Sequence, residues 1–152
     1  QYGMYYWDDN YPDSHVFAEG ECLRKTFDPD FMLYHTMAVD EWGHMKGADS
    51  AEYANAVAAV GHLIAARMPE WLEKGYQVVV TADHGMNNLG IHVGTEYAQR
   101  EVALYIFSDK VENGRFEENY ISQLNVAPLV CKLMGVPATE GMKQELEIQL
   151  HK

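Results

Sequence analysis

Five side chains of the two types that most often bind divalent metal ions follow apolar segments of the chain. They are Asp40, His44, Asp83, His84 and His92. Carboxylate and imidazole ligands together suit a zinc-like or manganese-like ion. Asp40 and His44 are four residues apart, a spacing that allows both to face one point. Asp83 and His84 are adjacent, so on an extended chain they project in opposite directions and would serve different ions.

Each of these groups also has an ordinary structural interpretation. Asp83 could form an Asx turn with His84 as a polar loop residue, and Asp40 and His44 could be polar residues of a loop. Coincidence becomes less attractive when all five residues follow strand ends that a doubly wound topology brings to one edge. Five ligands are too many for one tetrahedral ion and suit most of a two-metal site, with ions roughly 3.5–4 Å apart, which hydrolyses phosphoesters.

Apolar runs of strand length are the elements that would position these ligands. Val78-Val79-Val80 leads directly to Asp83, and three consecutive valines favour a covered, central strand of a parallel sheet. The run at 31–39 ends at Asp40 and predicts a second strand, and 101–107 predicts a third. Residues 40–47 are predicted to be a loop because they contain two glycines.

Helices are predicted between these strands. Ser14 is predicted to cap one that runs to about Lys25, a longer one covers 50–68 with Asp49 or Ser50 as its cap, and a last one covers 119–134. The buried stripe of the long helix is predicted from apolar spacings of three and four to be Val57, Val60, Ile64 and Met68. The fold class is therefore α/β, with three α/β/α layers and a mostly parallel sheet. Three strands fall short of the usual five or six, so we expect a partial fold.

Composition limits the classes of partner. The chain has 152 residues, 47% of them hydrophobic, which predicts a single domain over 1–152, and its net charge of −12 argues against nucleic-acid polymers and anionic membranes. No apolar run approaches the roughly 20 residues of a membrane span. Cys22 and Cys131 are far apart and lack a C-x-x-C spacing, which predicts free, buried thiols and a cytoplasmic location.

Five spaced motifs in the chain occur in the same order in a known superfamily. They are Pro29-Asp30-Phe31, Val39-Asp40-x-x-Gly43-His44-x-x-Gly47, Tyr53-Ala54-Asn55-Ala56-Val57, Val80-Thr81-Ala82-Asp83-His84-Gly85-Met86 and Gly90-x-His92-x-Gly94. With the segments that follow, they cover residues 29–138. The chain resembles the carboxyl-terminal half of the alkaline phosphatase superfamily, closest to the type I phosphodiesterase and nucleotide pyrophosphatase family.

The resemblance implies a division of the ligands between two divalent metal ions, usually zinc, with manganese as the alternative. Asp40, His44 and His92 would hold one ion, and Asp83 and His84 the other. The substrate would be a small phosphoester or a nucleotide. The family's nucleophile, a threonine or serine, and a further aspartate ligand come from motifs that this sequence does not contain. We therefore expect a carboxyl-terminal portion of a larger metal-dependent hydrolase, with no catalytic nucleophile and little turnover of its own.

Other interpretations remain open at the level of sequence. A phosphonate hydrolase, a sulfatase or a phosphosugar mutase of the same superfamily would use similar ligands at these positions. A non-catalytic metal-binding or interaction module is an alternative of a different class. A sheet without its upstream strands would expose an edge, so we also expect self-association.

Overall fold

The computed structural model describes residues 2–115, 120–142, 146, 148 and 150. Within them, helices predominate and two short strands form the only regular sheet. The elements are α1 (Asp13–Phe27), α2 (Ala38–Lys46), α3 (Ala51–Ala65), α4 (Met68–Glu73), β1 (Val78–Val80), α5 (Tyr97–Arg100), β2 (Tyr105–Phe107) and α6 (Val126–Met134), with 3₁₀ turns at Gln123–Asn125 and Glu140–Met142.

The chain divides into two compact units, each of which is discontinuous in sequence. The site unit comprises the described residues of Gln1–Glu70 and Ala82–Ala103, and the strand unit those of Trp71–Thr81 and Leu104–Lys152. All five predicted metal ligands belong to the site unit, whereas both strands belong to the strand unit.

The two long helices are confirmed, although α3 ends at Ala65, three residues before the predicted end. The α1 helix begins at Asp13 after Pro12, so the predicted Ser14 cap is wrong, and it ends at Phe27, followed by Asp28 in a left-handed conformation (φ 45°). The α3 helix begins after Ser50, whose side-chain oxygen accepts a hydrogen bond from the Tyr53 backbone N–H at 3.1 Å.

The predicted buried stripe of α3 is wrong at one position. Val57 is 48% exposed, whereas Ala56 is buried and Tyr53 and Leu63 are half-buried. The buried face is set by packing against α2 and α1, and it centres on Ala56, one residue away from the predicted stripe. Apolar spacing fixed the helical period but not the direction of the face.

The predicted strand at 31–39 and the predicted loop at 40–47 are both wrong. Residues 31–37 have no regular structure, and α2 occupies 38–46. Two contacts within the site unit favour the helix. The buried Asp13 side chain accepts hydrogen bonds from the Met37 and Ala38 backbone N–H groups at 3.1 and 3.4 Å, which caps α2. Gly43 packs against Met86, whose Cε atom would lie 2.8 Å from a Cβ at this position, so close packing outweighs glycine's low helix propensity.

The sheet differs from the predicted one. β1 pairs with β2 in antiparallel register, Val78 opposite Phe107 and Val80 opposite Tyr105, and the three valines are half-buried. The chain thus has both helices and strands, but a three-layer, mostly parallel sheet does not occur in the described ranges. The run of valines predicted where β1 lies, but it does not specify which strand β1 pairs with.

Helix α6 anchors the strand unit. Leu129 and Leu133 are buried, and the helix ends at Gly135, whose φ of +71° is the left-handed conformation that glycine adopts readily. The predicted helix is confirmed over 126–134, is preceded by the 3₁₀ turn, and its first predicted residue, at 119, lies outside the described residues.

Candidate metal centre

Helix α2 presents Asp40 and His44 on one side. Asp40 lies in the first turn and His44 one turn later, so His44 Nε2 is 3.4 Å from Asp40 Oδ2. His44 Nδ1 lies 2.8 Å from the Gly90 carbonyl oxygen. A carbonyl can only accept, so Nδ1 carries the hydrogen and the Nε2 of the neutral ring keeps its lone pair toward Asp40.

His84 reaches the same carboxylate from the segment that follows β1 in sequence. Its Nε2 lies 3.8 Å from Asp40 Oδ1 and 3.7 Å from Asp83 Oδ2. Its Nδ1 is 3.0 Å from the Gly85 carbonyl oxygen, so Nδ1 again carries the hydrogen. The Asp83 side chain is largely exposed.

His92 completes the group from the loop before α5. Its ring stacks on that of His84, with centroids 3.8 Å apart and planes 14° from parallel, and its Nε2 is 4.0 Å from Asp40 Oδ1. The His44 and His92 ring centroids are 4.9 Å apart. The structure therefore brings three of the other four predicted ligands, the histidines, around Asp40, with Asp83 at the edge.

Three of these residues form the group most suited to one ion. One ligand atom from each of Asp40, His84 and His92 lies within 4.8 Å of the others. This triad crosses the division that the resemblance implies, in which His84 belongs to a different ion from Asp40 and His92. His44 contacts Asp40 from outside the triad.

The donor set fits a divalent cation. Asp40 Oδ1 is buried and has no hydrogen-bond partner in the described part of the chain. A buried carboxylate oxygen without a hydrogen bond is costly unless it is paired or coordinates a metal. His44 and His84 have their Nδ1 atoms held by the Gly90 and Gly85 backbone carbonyls, the arrangement found around metal-ligating histidines.

A small cavity opens beside these ligands. It has a volume of about 90 Å³ and is lined in part by Asp40, Tyr53, Asp83 and His84. Burial, and then the charge of Asp40, raise the pKa of the Tyr53 phenol. Tyr53 occurs in one of the motifs that carry the resemblance but was not predicted to be a site residue, although it follows the Ser50 cap on the face of α3 that packs on α2.

The loop that carries His92 is organised by hydrogen bonds to the Asn87 side chain. Asn87 Oδ1 accepts from the backbone N–H groups of Leu89 and Ile91 at 3.0 and 2.9 Å. Gly90 has φ +73°, and a Cβ there would lie 2.7 Å from the His44 carbonyl oxygen, so only glycine allows this approach to α2.

Comparison with known proteins places the site in a family context. The model of the family described as type I phosphodiesterase / nucleotide pyrophosphatase matches residues 7–128. GPI ethanolamine phosphate transferase 3, catalytic subunit, is 28% identical over 124 residues in Homo sapiens and 29% over 149 residues in Mus musculus. These alignments cover 80% and 93% of this chain.

A further relative comes from fission yeast. GPI ethanolamine phosphate transferase 2 of Schizosaccharomyces pombe is 24% identical over 132 residues, which are 74% of this chain. The chain spans only 11%, 14% and 17% of the lengths of the human, mouse and yeast relatives. No solved structure matches.

The predicted cytoplasmic location is wrong. The relatives are named as GPI ethanolamine phosphate transferases, and GPI is a glycolipid of membranes. The prediction had relied on two unpaired cysteines, of which Cys22 is exposed rather than buried. Among the described helices, none has the length and apolar character needed to cross a membrane.

Proposed function

Because the chain belongs to the type I phosphodiesterase/nucleotide pyrophosphatase family of the alkaline phosphatase superfamily, we propose that it is the metal-binding portion of a larger enzyme that transfers phosphoester groups. Its small share of the relatives' length supports a portion, which we place at the carboxyl-terminal side of the catalytic region and treat as one domain over residues 1–152. The family match supports an α/β fold for the whole enzyme.

The observation that carries this proposal is the environment of Asp40. Its buried Oδ1 has no hydrogen bond and is faced by Nε2 of His84 at 3.8 Å and of His92 at 4.0 Å. These distances are too long for hydrogen bonds. They are the distances expected of atoms that bind one shared metal ion instead of contacting each other. Zinc suits this donor set, with manganese as the alternative.

We assign roles to the chain's own residues accordingly. Asp40, His84 and His92 hold one ion. His44, through its Nε2, either orients the Asp40 carboxylate or is a further ligand of that ion. Asp83, at the edge of the cavity, is the ligand for a second ion together with groups from outside this chain. When bound, such ions lower the pKa of the attacking hydroxyl and stabilise charge on the phosphoryl oxygens.

The nucleophile lies outside this chain in our proposal. The resemblance assigns it to a threonine or serine motif that the sequence lacks, so the 152-residue chain should bind metal without appreciable turnover. The cavity beside the ligands, about 90 Å³, is the volume of roughly three water molecules. It could accept a phosphoryl oxygen, and the rest of a substrate would lie outside it.

Two reactions are compatible with this machinery, and they differ in the acceptor. The names of the relatives favour transfer of ethanolamine phosphate to a hydroxyl of a glycolipid, in which an alcohol replaces water as the acceptor. The family description favours hydrolysis of a phosphodiester or nucleotide pyrophosphate, with water as the acceptor. We favour transfer, because the transferases align over most of this chain.

Metal binding can be tested on the chain itself. The protein is loaded with zinc, desalted and measured by elemental analysis, alongside His92→Ala and the control His62→Ala, which removes an exposed histidine of α3. We expect about one retained zinc in the wild type and in His62→Ala, because one tetrahedral site needs the triad, and none in His92→Ala. Equal zinc content in all three proteins would contradict the site.

The type of reaction is tested on the whole enzyme. Full-length protein and its His92→Ala form are given an ethanolamine-phosphate donor with and without a glycolipid acceptor. We expect the wild type to form phosphoethanolamine-modified acceptor, and His92→Ala to lose that product. Release of free ethanolamine phosphate at the same rate with and without acceptor would instead support hydrolysis.

A further inference from the structure

The Gln99 side chain forms hydrogen bonds with the backbone on both sides of His92. Its Nε2 donates to the Ile91 carbonyl at 3.2 Å and to the Val93 carbonyl at 3.3 Å. Its Oε1 accepts from the Glu96 backbone N–H at 3.1 Å. All the polar atoms of this buried amide, which is 5% exposed, therefore have partners.

Gln99 also contacts the segment that carries His84. The backbone carbonyl oxygen of Gln99 accepts from the Gly85 backbone N–H at 3.0 Å. The Gly85 carbonyl is in turn the group that faces His84 Nδ1. A Cβ on Gly85 would collide with the Ala98 carbonyl oxygen, so this approach requires glycine. One residue of α5 thus joins the backbone segments of both stacked histidines.

The position of Gln99 is itself fixed by its surroundings. Glu96 and Gln99 form a reciprocal capping box at the start of α5, which restrains the Gln99 side chain. The Glu96 carboxylate also accepts from Asn87 Nδ2 at 3.2 Å, and Asn87 organises the start of the His92 loop. Gln99 therefore acts from a supported position, and it needs no direct contact with a metal ligand's ring.

The geometry points to Gln99 as the positioning residue that sets His92 against His84 for metal binding, an inference that rests on the proposed metal site. The two carbonyls that Gln99 holds flank His92 directly, so they define where its ring can point. Groups that orient metal ligands from outside the coordination shell typically affect metal affinity 10–100-fold. A glutamine amide suits this role because two carbonyl acceptors require two N–H donors.

The test compares two glutamine-to-glutamate changes. Gln99→Glu keeps the size of the side chain but replaces the NH₂ donor with an oxygen, which faces two carbonyl oxygens. Gln123→Glu adds the same charge at an exposed position of the strand unit and serves as the matched control. Zinc affinity is measured by competition with a chelating dye, and folding of each variant is checked by circular dichroism.

A second readout requires no metal. In the metal-free chain, the stacked rings of His84 and His92 should shift each other's proton resonances upfield by ring currents, because their centroids are only 3.8 Å apart. We expect Gln99→Glu to lose this shift while the chain stays folded. A residue that merely stabilised α5 would lower the melting temperature without moving these resonances in the folded state.

We expect Gln99→Glu to bind zinc about 10–100-fold more weakly than Gln123→Glu, with loss of the ring-current shift. Equal zinc affinities and unchanged ring shifts in the two variants would overturn the role of Gln99. If the wild type binds no zinc, the proposed metal site fails, and the ring shifts alone then decide whether Gln99 sets His92 against His84.

Discussion

Two charged clusters in the site unit arrange their charges in opposite ways. In the Arg24 cluster, the buried guanidinium contacts Glu21 at 2.8 Å and Glu70 at 2.5 Å, and Glu21 also accepts from the Tyr34 hydroxyl at 3.1 Å. In the Asp40 cluster, by contrast, a buried carboxylate oxygen faces imidazole nitrogens at 3.8 and 4.0 Å without a hydrogen bond.

The difference separates a structural cluster from a binding site. The Arg24 cluster satisfies its charges with its own side chains, so removing the guanidinium leaves the largely buried Glu21 carboxylate without its cation. The Asp40 cluster collects donors that do not satisfy each other, which is the state expected of groups that share an external cation. Mutations should therefore affect stability in the first cluster and metal binding in the second.

The largest effect is expected for Asp40→Asn, measured as zinc affinity. Loss of the carboxylate should weaken zinc binding by more than the roughly 10–100-fold that follows loss of an outer-shell partner. The stability of the metal-free chain should stay the same or rise, because the change neutralises a half-buried carboxylate whose buried Oδ1 has no hydrogen bond. Asp49→Asn, at an exposed position, is the control. A metal-free Asp40→Asn chain that is strongly destabilised would contradict the contrast.

Arg24→Met should give the opposite pattern. We expect the free energy of unfolding in urea to fall by about 3 kcal/mol, because the Glu21 carboxylate stays largely buried without its cation. Lys25→Met is the matched control, since exposed Lys25 is 3.9 Å from Glu70 and such pairs contribute at most about 1 kcal/mol. Zinc affinity should not change in either variant. A change in zinc affinity for Arg24→Met would show that the two clusters are energetically coupled, which would contradict the contrast.

The pH dependence of stability sharpens the description of the Arg24 cluster. Burial, and then the charge of Glu21, raise the pKa of the Tyr34 phenol above its usual value of about 10. A raised folded-state pKa gives stability that is present below that usual value and is lost as pH rises above it. The wild type should therefore lose more stability than Tyr34→Phe between about pH 9 and 11. Parallel losses would show that Tyr34 titrates normally.

The smallest effect is expected for Asp83→Asn. Its largely exposed carboxylate is outside the triad, so the first zinc ion should bind Asp83→Asn almost as tightly as the wild type. Isothermal titration of both proteins would check this. A loss as large as that of Asp40→Asn would mean that Asp83 belongs to the first site, contrary to our assignment.

Sequence reasoning succeeded where the signal was local. Ser50 predicted the start of α3 because its side chain caps the helix, and the predicted end of the last helix at 134 is where α6 ends. Residue type and spacing also selected Asp40 and His44 as neighbours, which their 3.4 Å separation bears out. The four-residue spacing predicted this grouping even though a loop was predicted at 40–47, because residues four apart lie on the same side of a helix.

Sequence reasoning failed where distant contacts decide the outcome. The strand predicted at 31–39 gave way because Asp13, far away in sequence, caps a helix that starts at Ala38. Gly43 suggested a loop, yet its lack of a side chain is what allows α2 to pack on Met86. Gln99 was not singled out, since one glutamine in a polar segment carries no signal of the two carbonyls that it binds.

The central claim is that imidazole nitrogens around Asp40 bind a divalent ion, and zinc-edge X-ray absorption on the chain loaded with one equivalent of zinc tests it most directly. We predict nitrogen and oxygen ligands at about 2.0–2.1 Å, with the multiple-scattering pattern of two or more imidazoles, and loss of this pattern in His92→Ala. Sulfur ligands at about 2.3 Å would place the zinc on Cys22 or Cys131 and would contradict the claim.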